Sequence, residues 1–363
     1  MANWKMYLDD SATHGAVIDE NFKLRKVNNI NGGVPITSAG GILVDESAER
    51  AIKRDVQRLR EHIQRELRLP EPPELHMSEM WGNQLPVNSP YLKVDRKKIL
   101  HWVRLGYDII FKHGQAGSLR VIGVSLELPQ VQEVLKSYCE DANTIAEREI
   151  LKEYFPKATK TFYGIMLNPL IRMIMNLIVV GDDFASSNGH RLKVYYDTSE
   201  ASKGFAFSEG MSIFQDLRRF ESVDSIGESS PHINNLMQLA DLAAYRVFRA
   251  KMIRYRVEHN MRHATDPGMV LALRDRPFDS LGLHIPNTKL RMESVHESLF
   301  AMLQIAYASQ SVRQLYPESA SKLLIQLNQY IVDKDEYGSL TGFFPLFSHE
   351  IREAWCNGKR PLI

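Results

Sequence analysis

Cysteine is scarce in this chain: Cys139 and Cys356 are the two present in 363 residues. They follow no metal-ligand spacing and suggest no disulfide framework, and neither lies in a context that identifies a nucleophile. A reducing compartment is the simpler reading, so a cytoplasmic location is expected. An uninterrupted apolar run of roughly 20 residues, as a membrane span needs, is also missing. The most apolar stretch, residues 162–180, contains Asn168, Pro169, Arg172 and Asn176. It reads as a buried core helix with Asn168 as N-cap and Pro169 at the first helical position, and no membrane partner is expected. Residues 1–10 lack a basic region followed by an apolar core, so no secretory signal is expected.

Charge of one sign is absent too, with Lys+Arg 45 against Asp+Glu 44. This balance neither argues for nucleic acid nor excludes it, because a local basic groove can sit on a neutral protein. Gly32-Gly33 and Gly40-Gly41 lack the following Lys-Ser/Thr of a phosphate loop, which speaks against a nucleotide-triphosphate enzyme. Internal repeats and low-complexity tracts are lacking.

What is present is an ordinary globular composition, 44% hydrophobic and 25% charged, on a chain long enough for one large domain or two smaller ones. Residues 4–9 read as a first strand, and a hairpin is expected around Phe22–Val27. Val34–Thr37 and Gly40–Val44 read as another strand, broken by small residues. Asp45 or Ser47 then opens an amphipathic helix with Ile52, Val56, Leu59, Ile63 and Leu67 at spacings of three and four, closed by Pro70, Pro72 and Pro73. Residues 81–98 read as loop, 99–113 and 131–154 as helices, and 119–128 as a strand. The helix from Pro169 ends at Val180, with Gly181 to Gly189 as loop. Strands over 192–196 and 220–226 and a helix over 235–254 come next. Beyond that, 264–292 is irregular, and helices are expected over 294–315 and 317–333. Strands mixed with helices suit an α/β domain. The expected division is a core of 1–255, with a helical insertion at about 129–190, and a mainly helical region over 256–363.

Three carboxylates share a setting. Asp9 and Asp197 each follow an apolar strand, and Asp241 sits within Leu239-Ala240-Asp241-Leu242-Ala243-Ala244, a helical segment that looks packed on more than one side. Unpaired buried carboxylates are rare. Converging carboxylates suit Mg²⁺ or Mn²⁺, which prefer oxygen ligands. Each residue also has a plain structural reading. Asp9 and Asp10 are turn formers at a strand end, Asp197 caps the segment after it, and Asp241 pairs with an arginine such as Arg246. Glu74 and His76, directly after the prolines, are further candidates or simply loop residues. Neighbours on a strand point to opposite faces, so Asp9 is expected toward the site and Asp10 outside it. The basic run Lys251 to Arg262 reads as a solvated helix face or a phosphate contact.

Tyr7-Leu8-Asp9-Asp10-Ser11, Glu74-Leu75-His76, Tyr195-Tyr196-Asp197, Val223-Asp224-Ser225 and Gln238-Leu239-Ala240-Asp241-Leu242, in this order, resemble the family called "domain of unknown function 3800". That family opens on Tyr-x-Asp-Glu-Ser-Gly; here Asp10 replaces the Glu and Ala12 the Gly. The resemblance covers roughly residues 4–250. It implies a ribonuclease H-like fold, a mixed central sheet flanked by helices. The acidic positions match Asp9, Asp197 and Asp241, with Glu74 or His76 as a fourth member. It further implies a metal-dependent nuclease or related phosphoryl transferase, using Mg²⁺ or Mn²⁺ on DNA or RNA.

Two other readings are open. Asp9-Asp10-Ser11 with Gly181-Asp182-Asp183 partly resembles a haloacid-dehalogenase-type phosphatase, although position 11 is Ser where that chemistry needs a second Asp. The non-enzyme reading is a binding or assembly module with structural or degenerate carboxylates.

Overall fold

The computed structural model describes residues 3–11, 26, 33–81, 85, 87–129, 131–132, 169–197, 222–229 and 234–261. The expected hairpin near Phe22–Val27 (Lys26 apart), most of the expected helix at 131–154, and nearly all of the expected helical region 256–363 lie outside these residues.

Five strands form one mixed sheet: β1 (Asn3–Ser11), β2 (Ile36–Asp45), β3 (Leu119–Glu127), β4 (Arg191–Tyr196) and β5 (Val223–Glu228), in the order β3-β2-β1-β4-β5. β2 runs antiparallel to both β1 and β3, while β4 is parallel to β1 and to β5. The described helices are α1 (Glu49–Leu67), α2 (Met77–Trp81), α3 (Arg96–Gln115), α4 (Pro169–Ser187) and α5 (Asn235–Glu258). The α/β class expected from the alternation of patterns is what the chain adopts.

Strand alternation sorts the two faces. On one face Trp4 meets Phe184 of α4 edge-on at 5.0 Å between ring centroids, and Met6 lies against Gly181 of α4. On the other, Tyr7 donates its hydroxyl to Glu49 of α1 at 3.3 Å, and packs in a core shared with α1, α3 and α5. The α1 stripe reads as expected, with Ile52, Val56, Leu59 and Ile63 buried. Each such side chain stabilises the fold by roughly 1.5–3 kcal/mol.

α4 corrects the expectation of a loop from Gly181. The helix continues to Ser187, and Gly189 just beyond it has a φ of +64°, the left-handed turn that glycine favours. Gly181 serves packing: a Cβ there would stand 2.0 Å from Met6 Cε. A glycine that stops a helix and a glycine that lets a helix lie close to a sheet look alike in sequence. β2 likewise runs unbroken, because its small residues accommodate neighbours. α5 extends past the boundary expected near 255.

α5 lies across β2 at close range. A Cβ on Gly40 would fall 3.0 Å from Ala244 Cα, and Gly40 pairs with Asp9 in the β1–β2 register. Gly40→Val should push α5 off the sheet at the level of Asp9. The expected loss is about 2 kcal/mol, read as a lower urea midpoint at unchanged slope.

Candidate acidic site

The site is built where β1 and β4 end. The strands stand side by side with Tyr7 opposite Tyr195 in register, and the two rings stack at 5.3 Å. Asp9 lies two residues beyond Tyr7 and Asp197 two beyond Tyr195, so both follow their tyrosines to the face that α5 covers. The Asp197 N–H donates to the Leu8 carbonyl at 3.0 Å, carrying the ladder one residue past β4. To one side of this pair of strands lies antiparallel β2, to the other parallel β5. In α/β sheets the crevice at the carboxyl ends of strands, where strand order reverses, is the usual place for a ligand.

α5 supplies the third carboxylate. Every residue from Leu236 to Ala244 is buried, Asp241 with them. The small Ala240, Ala243 and Ala244 let the helix come close enough to bring Asp241 into the field of the strand-end acids. Asp9 and Asp241 are each 6% exposed. Burial, then repulsion from Asp241, Asp10 and Asp197, holds the Asp9 carboxyl well above the ordinary carboxylate range. Burial also raises Asp241, to about 6, with Asp10 and Asp197 adding repulsion, against His76 and the Met77 N–H, which favour its charge. That N–H donates to Asp241 Oδ2 at 2.6 Å. Asp9 Oδ1 accepts the Asp10 N–H at 2.7 Å.

Asp9, Asp197 and Asp241 are thus brought together. Asp10 is only half-buried, as expected for the residue pointing away, yet its charge is felt by both Asp9 and Asp241. His76 acts on Asp241, and its Nδ1 lies 2.8 Å from Ser78 Oγ. Glu74 acts instead on Arg60 and Tyr91. Of the two candidates after the prolines, His76 is the one placed with the acids.

Among the described residues, no three His, Cys, Asp or Glu side chains stand in a ready-made ligating group. The donor chemistry nonetheless fits a hard divalent cation, because buried carboxylates raised by burial and by neighbouring acids are the groups whose charge such an ion would neutralise.

Asp182, drawn on for the phosphatase reading, lies on α4, across the sheet from Asp9. Its Oδ1 accepts the Ser222 and Val223 N–H groups at 2.8 and 3.2 Å, which fixes the start of β5. The basic run after α5's middle is not one continuous face. Lys251 pairs with Glu127 at 2.5 Å, Arg256 is buried and Arg254 exposed, and Arg262 lies outside the described residues.

Two residues that support the site are given no role by the sequence pattern, although Gln238 lies in the Gln238-Leu239-Ala240-Asp241-Leu242 motif. Gln238, one helical turn before Asp241, accepts the Leu75 N–H at 3.1 Å. Arg60 of α1 bonds the Pro72 and Pro73 carbonyls. A polar residue in an Ala/Leu-rich helix, three before the Asp, is the available cue for Gln238. Nothing in the α1 pattern marks Arg60.

No family model, curated protein or solved structure matches the chain. No described helix is long and apolar enough to cross a membrane.

Proposed function

We propose that this chain is a metal-dependent, nuclease-like phosphoryl transferase acting on a nucleic-acid phosphodiester. One observation carries the reading: three carboxylates from β1, the end of β4 and α5 converge on one sheet face, and two of them are ionised only against burial and repulsion from neighbouring carboxylates. The strand order, with β2 the one reversed strand among the described residues, and acids at those three positions support a ribonuclease H-like fold and the resemblance to the "domain of unknown function 3800" family.

Asp9, Asp197 and Asp241 would hold Mg²⁺ or Mn²⁺. When bound, such an ion supplies Lewis-acid stabilisation of charge on phosphoryl oxygens and lowers the pKa of a water. The chain's own residues orient the site. The Met77 N–H fixes one Asp241 oxygen and leaves the other to a ligand. The Asp10 N–H does the same for Asp9. With Nδ1 beside Ser78, His76 presents Nε2 as the nitrogen that would take or give a proton.

The test is cleavage of mixed DNA and RNA substrates with Mg²⁺ or Mn²⁺ against chelator. Wild type is expected to cleave only with the ion, and Asp197→Asn to lose at least about 10²–10³-fold in rate. The second reading, a non-catalytic binding module, is favoured by the lack of a ready ligating group among the described residues. Divalent-independent binding without cleavage on every substrate is its signature.

A further inference from the structure

Arg60 touches none of the three carboxylates in the bonds it makes, yet it holds the segment that orients one of them. Its Nε donates to the Pro73 carbonyl and its Nη2 to the Pro72 carbonyl, each at 2.9 Å. Nη1 donates to Asn235 Oδ1 at 2.7 Å and more weakly to Gln57 Oε1 at 3.4 Å. Asn235 Nδ2 also reaches Gln57 Oε1, at 3.2 Å. One planar fork therefore ties α1, the proline segment and the first residue of α5.

The bonds to α5 begin immediately downstream. Leu75 N–H meets Gln238 and Met77 N–H meets Asp241, with His76 between them. Gln238 and Asp241 are three apart on α5 and so share a helix face, while Leu75 and Met77 are two apart on the facing segment. The match is a two-point register between an irregular segment and a helix. An irregular segment holds such a register only if its other end is fixed: Arg60 fixes it at Pro72 and Pro73, and the Tyr91 hydroxyl adds a bond to the Glu74 carbonyl.

We propose that Arg60 is a positioning residue for the acidic site: its fork on Pro72, Pro73 and Asn235 sets the segment that lays the Met77 N–H on Asp241 and His76 beside it. Lysine cannot replace it, since an ammonium on a flexible stem lacks the planar fork that spans two carbonyls and an amide. The role at the site rests on the cation reading above, whereas the clamp itself needs no cation.

Two readouts separate these. In amide hydrogen exchange on the metal-free full-length protein, Arg60→Ala should speed exchange at Leu75 and Met77 at least about tenfold over reference amides of β3 such as Val121. Arg60→Lys should leave most of that increase in place. Asn235→Ala, which removes one anchor and spares the core, should give a smaller increase at the same two amides, and serves if Arg60→Ala does not fold. Mn²⁺ affinity should fall about 10–100-fold in Arg60→Ala, as for loss of an outer-shell partner, without recovery in Arg60→Lys. Unchanged exchange at Leu75 and Met77, or acceleration spread equally over β3, overturns the clamp. Loosened amides with unchanged Mn²⁺ affinity overturn the positioning role. Absence of Mn²⁺ uptake by wild type overturns the cation reading and the site role with it, and the exchange data still decide the clamp.

Discussion

Asp241→Asn is expected to stabilise the metal-free protein at pH 7.5 and to abolish the further stabilisation that Mn²⁺ gives the wild type. Asp241 is buried, and its pKa stands at about 6 against an ordinary value of 3.8. At about 1.36 kcal/mol for each tenfold change in proton affinity, ionised Asp241 costs the folded state about 3 kcal/mol at neutral pH. Asparagine keeps an oxygen for the Met77 N–H and drops the charge that Asp10 and Asp197 repel. A gain on the order of 5 °C in Tm is expected, measured by calorimetry with and without Mn²⁺. A carboxylate kept at a cost to stability is what a functional site leads one to expect. A purely structural Asp241 would show a loss of stability on the same substitution.

The second expected result concerns pH. A carboxyl raised in the folded state binds its proton more tightly there than in the unfolded chain. The stability it confers is complete below the unfolded pKa near 3.8 and is lost as pH rises through about 6. Asp9 shifts in the same direction and adds to the loss. The stability difference between Asp241→Asn and wild type should therefore be close to zero near pH 4 and grow to about 3 kcal/mol by pH 7. Urea titrations at a series of pH values measure it. Taking the difference cancels the titrating groups that do not interact with Asp241; Asp9, which Asp241 repels, is relieved of that repulsion in the variant. Mn²⁺ affinity should run the other way. Below about pH 6 it should fall up to tenfold per pH unit for each proton the ion displaces.

The sheet and the acidic triad are legible in the sequence for one reason: period and burial are local. Apolar strands ending in Asp9 and Asp197 can be found from alternation, and Asp241 from its Ala/Leu neighbours. Facing can be read as well, since alternation sends Asp9, not Asp10, into the core. What is illegible depends on partners distant in the chain. Gly181 looks like a helix stop because Met6, which needs the space, lies 175 residues earlier. Whether Glu74 or His76 joins the acids depends on the path of the proline segment. That path is held by Arg60 on α1 and by Tyr91, and a stripe pattern on α1 cannot show what its polar side reaches. α2 leaves no mark in the pattern because five residues are too few to display a helical period.

Asp9, Asp197 and Asp241 are proposed to make one cation site. Calorimetric titration of Mn²⁺ into wild type and Asp9→Asn at pH 7.5 tests it most directly. Saturable uptake by wild type, weakened at least about 100-fold in Asp9→Asn, is the predicted result. No uptake by wild type, or equal affinity in the variant, would contradict it.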